Sequence, residues 1–203
     1  MIYVENDPGE EVLNAYLEKS TFIGTDVQKN AVLEGEIVAS LANLGNINGD
    51  DQVSVAILSP TELSEEIQAS LISAITAKGI RSEVLEAVVS ENDREKGKEA
   101  ATRLLTRYGD GLDVLFAQSE ALALGAVDAI QEAKRENGVN IYLISGEDGQ
   151  NVRYYINDTL IEGSIWDNVE ARCKVVAESV QRALQHQSLG LKTLIPNKKL
   201  MKE

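Results

Sequence analysis

Histidine, cysteine and tryptophan each occur once in the 203 residues, phenylalanine twice and proline three times. These shortages exclude whole classes of chemistry. Any Ser-His-Asp or Cys-His system would have to use His186, which stands at the polar end of the last helical pattern, and no G-x-S-x-G elbow accompanies it. A solvated helix-end role is expected for that histidine instead. Zinc lacks its usual Cys and His ligands. The single cysteine, Cys173, can form no internal disulfide, and its place in the helical pattern 169–184 predicts a buried, apolar side chain. Neither a P-loop nor G-x-G-x-x-G occurs, since Gly109 and Gly111 follow a helix rather than open one. The chain is therefore expected to bind rather than to catalyse. No stretch approaches the ~20 apolar residues of a membrane span. No basic-then-apolar leader opens at Met1, so the chain is expected either to be cytoplasmic or to begin downstream of its true start. Basic residues are also scarce: 19 Lys and Arg stand against 33 Asp and Glu, a net charge of −14. Such a surface repels phosphate backbones, which argues against nucleic acid and anionic membranes as partners of this segment.

What the chain has is alternation. Segments at 2–4, 22–24, 53–58, 81–89, 112–117, 140–145, 161–166 and 192–195 read as strands, the first two as short apolar runs, 81–89 as alternating at first and 192–195 as the final strand. Between them lie helical patterns: one capped by Asp26 and running to Gly45, then 64–79, 93–108, 121–136, 150–156 and 168–186. Several strands are continuously apolar, as strands covered on both faces are. This predicts right-handed βαβ units in an open parallel α/β sheet, with ligands beyond the carboxyl ends of the strands. The loops to inspect are thus 59–63, 90–93, 118–120, 146–150 and 167–168.

One loop carries a finer pattern. Asn46-Ile-Asn48-Gly-Asp50-Asp-Gln52 sets oxygen-bearing side chains at alternate positions, the first half of an EF-hand-like D-x-N-x-D-G-x loop. Asn46 replaces the leading acid, Asp51 the turn glycine, and Ile57 the bidentate glutamate at the twelfth position. A polar turn rich in Asn, Gly and Asp is the other reading.

Three stretches resemble the galactose/glucose-binding branch of the type I periplasmic sugar-binding proteins. They are Phe22-Ile-Gly-Thr-Asp26 with Leu33-Glu-Gly-Glu-Ile-Val38, the 46–52 loop running into Val53-Ser-Val-Ala-Ile-Leu58, and Leu112 to Ile130 (LDVLFAQSEALALGAVDAI). The resemblance spans roughly residues 2–195 and begins well inside the family's N-terminal lobe. It implies a periplasmic-binding-protein type I fold, with the open parallel βαβ sheet of a C-terminal lobe plus a partial N-terminal lobe. Residues 1–25 would be the end of the N-terminal lobe and hinge. Residues 26–163 would form the C-terminal Rossmann-like lobe, and 164–203 the hinge, a helix returning to the N-terminal lobe and a terminal strand.

The resemblance also implies site residues. Glu5, Asn92, Ser119, Glu147 and Asp167 fall on its ligand-binding positions, with Asn92 where the family places a stacking tryptophan. The family's His-x-Asp-x-x-x-Arg cluster is absent from the 59–66 loop, a departure expected to weaken galactose and glucose binding. Trp166 is open to two readings: a substitute stacking ring, or a ring packed in the core or hinge. For calcium the resemblance adds Asp113 to Asn46, Asn48, Asp50 and Gln52. The implied function is a solute-binding protein, as a fragment or truncated form, that takes a sugar-like ligand for ABC transport or chemosensing. Its implied partners are a membrane transporter or receptor, with self-association through the truncated lobe and an extracytoplasmic location. An effector-binding domain of a LacI-type regulator and an extracellular sensor domain share the fold and are the alternatives.

Overall fold

The computed structural model describes residues 1–202. The chain divides into two compact units, Met1–Val27 with Asp167–Asn197, and Gln28–Trp166 with the segment from Lys198 onward.

The larger unit is built on a six-stranded sheet. Its strands are β3 (Gln52–Ser59), β4 (Arg81–Val89), β5 (Val114–Ala117), β6 (Tyr142–Ser145), β7 (Gly163–Trp166) and β9 (Lys198–Met201), in spatial order β4-β3-β5-β6-β7-β9. All pairings are parallel except β7 with β9. Strands β3, β5 and β6 are almost wholly buried because helices cover both faces. Alternate residues serve opposite faces, as the pleat dictates. Ala56, Leu58, Leu115, Ala117 and Leu143 pack with helices α4 (Arg94–Tyr108), α5 (Glu120–Glu132) and α6 (Gln150–Asn157). Val55, Ile57, Val114, Phe116, Tyr142 and Ile144 pack with α2 (Val27–Val38) and α3 (Glu65–Thr76). The continuous apolar runs in the sequence are this two-sided burial.

Helices α4 and α5 cross closely. A Cβ placed on Gly125 would come within 2.2 Å of the Arg94 carbonyl oxygen, so only glycine permits the contact. Caps open the helices just after strands. Ser64 accepts from Ile67 N–H, Asp93 from Glu95 and Lys96 N–H, and Ser119 from Leu122 N–H.

The smaller unit holds β1 (Ile2–Val4), β2 (Thr21–Thr25) and β8 (Lys192–Ile195) in a parallel sheet of order β1-β2-β8, with α1 (Glu10–Ala15) and α7 (Val169–Leu184). Asn168 caps α7 by accepting from Ala171 N–H.

Three expectations are corrected, and one short helix was not foreseen. The helix predicted to reach Gly45 stops at Val38, and a 3-10 turn (Ala42–Gly45) follows in which Asn43 and Leu44 take left-handed φ of 52° and 57°. Leu41 still packs on the core, so the apolar spacing outlasts the helix that it suggested. The 192–195 strand is not the last: β9 follows, its Lys-Lys-Leu-Met too polar to read as a strand. Helix α1 has only six residues, too short for its periodicity to be seen. Cys173 is exposed rather than buried, because no residue of α7 is buried even though its spacing is helical.

Candidate functional site

Each parallel strand of the larger unit ends at the same edge of the sheet, and the loops that leave it carry three of the residues singled out in the sequence. Asn92, after β4, accepts a 2.6 Å hydrogen bond through Oδ1 from Ser119 Oγ, after β5. Ser119 is thus both the cap of α5 and the support of Asn92. Glu147, after β6, accepts from Glu120 N–H at 3.1 Å. The Ser145 and Ser164 hydroxyls both donate to the Glu147 carbonyl at 2.7 Å and fix the backbone of that loop. Asn92 and Ser119 therefore meet directly, and Glu147 meets the residue that follows Ser119.

Glu5 and Asp167 belong to the smaller unit and converge on a residue that the sequence reading missed. Arg172 Nη1 donates to Glu5 Oε1 at 2.7 Å and to Asp167 Oδ1 at 2.9 Å, and Nη2 donates to Asp167 Oδ2 at 2.5 Å. An arginine among the polar residues of a helix carries no sequence signal of its own.

Trp166 closes β7 and is 42% exposed. The Arg153 guanidinium lies 5.0 Å from its ring centroid and the Lys198 ammonium 5.7 Å. The core-packed alternative is thereby corrected: cations flank this ring, an arrangement that the ring quadrupole favours.

The 46–52 loop is folded on its own side chains. Gly49 N–H donates to Asn46 Oδ1 at 2.8 Å, Asp50 N–H to Asn48 Oδ1 at 3.0 Å, and Gln52 N–H to Asp50 Oδ1 at 3.0 Å. Asp113 is fully buried beside it. Its Oδ1 accepts from Ile47 and Asn48 N–H at 3.0 and 3.1 Å, and its Oδ2 from Ser54 N–H at 2.8 Å. Burial pushes the Asp113 carboxyl above the usual carboxylate range, against the pull of those three donors. Among the described residues, no three His, Cys, Asp or Glu side chains gather as a metal site.

Residues 12–188 match the family model described as a periplasmic binding protein domain. The chain belongs to the periplasmic binding protein family. It is 29% identical over 142 residues to a D-ribose/D-allose-binding protein from Pseudomonas aeruginosa, a match that covers 70% of this chain and 42% of that relative. The chain thus spans less than half the length of the curated relative. Solved structures match its fold more fully. An ABC transporter periplasmic solute binding protein from Actinobacillus succinogenes, with bound D-allose, superposes with a TM-score of 0.77 at 16% identity, covering 98% of this chain and 67% of the other. A glucose-galactose binding protein from Geobacillus stearothermophilus gives 0.75 at 15% identity, covering 98% and 66%. The fold is the α/β type I periplasmic-binding-protein fold, as the sequence implied. These relatives bind ligands, in keeping with the expectation of a binder rather than an enzyme.

The larger unit of this binding-protein fold hides one more polar pair. Glu34, on α2, is 3% exposed, and Gln118, at the end of β5, donates from Nε2 to both its carboxylate oxygens at 3.1 Å. Burial raises the Glu34 carboxyl from 4.5 to about 7, the Gln118 donor only partly opposing it. Folding therefore holds the proton more tightly than the unfolded chain does. Stability contributed by this group is full below pH 4.5 and is lost as pH rises to about 7. The window corresponds to about 3 kcal/mol. Replacing Glu34→Gln is expected to leave stability near wild type in acid and to raise it by up to about 3 kcal/mol at neutral to alkaline pH. Urea titrations of both proteins across that range check this, and a difference independent of pH would contradict it.

Proposed function

We propose that the chain is the ligand-binding part of a solute-binding protein that takes a neutral sugar outside the cytoplasm and presents it to an ABC transporter or a chemosensory receptor. The observation that carries the reading is the chemistry at the strand ends. In the larger unit Asn92, supported by the buried Ser119, and Glu147 are exposed planar groups held by neighbouring donors, and in the smaller unit Glu5 and Asp167 are carboxylates held by Arg172. Such groups exchange hydrogen bonds with sugar hydroxyls at fixed angles. The sugars named for the relatives, D-ribose, D-allose, glucose and galactose, support the ligand class. A thermal-shift panel of those sugars is expected to stabilise the protein, by about 2.7 kcal/mol at a hundredfold excess over Kd. Asn92→Ala is expected to weaken the best ligand about tenfold, the net worth of one good hydrogen bond. No stabilisation by any neutral sugar would overturn the reading.

We infer further that the 46–52 loop stands without calcium. The donor set does not fit the ion: it offers two carboxylates, and the buried one, Asp113, turns both oxygens to backbone N–H groups. Adding millimolar calcium after chelation is expected to leave the melting temperature unchanged, and a rise of several degrees would restore the metal.

Self-association also finds support. In the smaller unit Val4, Leu17, Leu184 and Leu194 are exposed, and β1 and β8 each pair on one side only. Apolar surface and open strand edges recruit further chains. Light scattering is expected to give a mass above that of one chain, and a monodisperse monomer would refute it.

A further inference from the structure

The sequence holds Asn-Gly twice, at Asn48-Gly49 and at Asn137-Gly138. Asparagine before glycine is open to attack by the chain on its own amide, because glycine puts no side chain between the backbone nitrogen and the Cγ carbon. The fold treats the two pairs in opposite ways. Asn137 is 9% exposed and its amide is held on three sides. Oδ1 accepts from Leu143 N–H at 2.8 Å, and Nδ2 donates to the Thr159 carbonyl at 3.0 Å and to Glu162 Oε1 at 3.1 Å. The nitrogen that would attack, Gly138 N, donates to the Ile141 carbonyl at 2.8 Å, and a Cβ built on Gly138 would meet Glu162 Oε1 at 2.8 Å.

Asn48 and Gly49 are exposed instead, and a Cβ built on Gly49 would have nothing within 4 Å. Asn48 Oδ1 accepts from Asp50 N–H at 3.0 Å, so a backbone donor already sits on the oxygen that gathers negative charge when Cγ is attacked. Gly49 N–H is tied only to a side chain, Asn46 Oδ1 at 2.8 Å. The nitrogen that would leave, Asn48 Nδ2, donates to the Asp110 carbonyl at 3.2 Å and to Asp50 Oδ2 at 3.3 Å, both on exposed residues.

We propose that Asn48 is a spontaneous deamidation site, and that its conversion unfastens the 46–52 loop from Asp113 and from the 109–111 turn. Hydroxide removes the Gly49 N–H proton, and the nitrogen attacks Asn48 Cγ. The new N–C bond forms, the Cγ–Nδ2 bond breaks, and Nδ2 leaves as ammonia with a proton taken from water. Water then opens the cyclic imide on one side to give aspartate, or on the other to give isoaspartate, whose chain runs through Cγ. Either product replaces a donor by a carboxylate. The bonds to Asp110 and Asp50 are lost, and the new charge faces the Asp50 carboxylate. Isoaspartate also lengthens the backbone beside the Ile47 and Asn48 N–H groups that Asp113 holds while it is fixed to Ser54 N–H.

The test is incubation of the 203-residue chain at mildly alkaline pH, folded and in parallel in urea, followed by peptide mapping with mass spectrometry. Labelling with an isoaspartyl methyltransferase tells the two acids apart. The folded chain is expected to gain the amide-to-acid mass at Asn48, faster as hydroxide rises, and none at Asn137, whereas the unfolded chain gains it at both. An unmodified Asn48 in the folded chain, or equal conversion of the two asparagines there, would overturn the site. The converted chain is expected to lose hydrogen-exchange protection at the Ile47 and Asn48 amides and to melt about 2–4 °C lower. Asn48→Asp carries the charge without the longer backbone and is expected to show the smaller part of that fall. Unchanged exchange and melting would overturn the unfastening. Asn48→Gln, whose longer side chain closes the imide poorly, is expected to melt alike before and after the same incubation. A fall there equal to that of the wild type would trace the loss to another site and overturn the proposal.

Discussion

A parallel strand can be followed by another only after the chain has crossed back over the sheet. That constraint places every carboxyl end of β3 to β7 on one edge, and the crossover helices then start at that edge. The backbone N–H groups at the start of each helix need acceptors, so capping side chains collect there: Ser64, Asp93 and Ser119 in the larger unit, and Asn168 at α7 in the smaller. A rim lined with short polar side chains is thus a consequence of the topology before any ligand is considered. Ser119 shows how one side chain serves both ends, since its oxygen accepts from Leu122 N–H while its proton goes to Asn92.

The two buried acids of the larger unit illustrate how differently a fold can hold a carboxylate. Asp113 is given three backbone donors by two neighbouring segments, the 46–52 loop and the start of β3. Glu34 is given one amide. Backbone N–H groups are fixed by the chain and cannot turn away, whereas a glutamine amide can rotate and is shared between both oxygens. The better-solvated acid therefore serves as a structural tie between a loop and a strand. The poorer one is held near the midpoint of its titration at neutral pH.

Much of this architecture was legible from residue order alone, because burial on both faces leaves largely apolar runs at 53–58, 114–117 and 141–144, bounded by turn residues, as parallel strands covered by helices do. The three-residue cluster at the rim was also accessible through motif position, since Asn92, Ser119 and Glu147 each follow a strand. What was not legible depends on partners far apart in the sequence. Glu5 and Arg172 are 167 positions apart, and Gln118 and Glu34 are 84 apart. Helical periodicity reports which residues share a face, not whether anything covers that face. Hence Cys173 fell on a correctly assigned helix yet proved exposed, and Leu41 kept the spacing of a helix that had already ended.

The acidity of the chain takes on a different meaning once its placement is known. Away from the strand ends, acids on helix surfaces pair with bases across neighbouring helices, as Asp128 does with Arg94 and Glu132 with Lys98. Such exposed pairs contribute little to stability, about 1 kcal/mol or less each. At the strand ends the balance changes, because Glu5 and Asp167 share one arginine and Glu147 receives a backbone N–H rather than a cation. Glu147, exposed and held by a neutral donor, keeps its negative charge unneutralised at that edge. A neutral polyol supplies several hydroxyl donors to such acceptors without bringing a charge to be desolvated, whereas an anion meets repulsion at every one of them. On the sugar-binding reading proposed above, a neutral polyol suits an acidic rim of this kind better than an anion does.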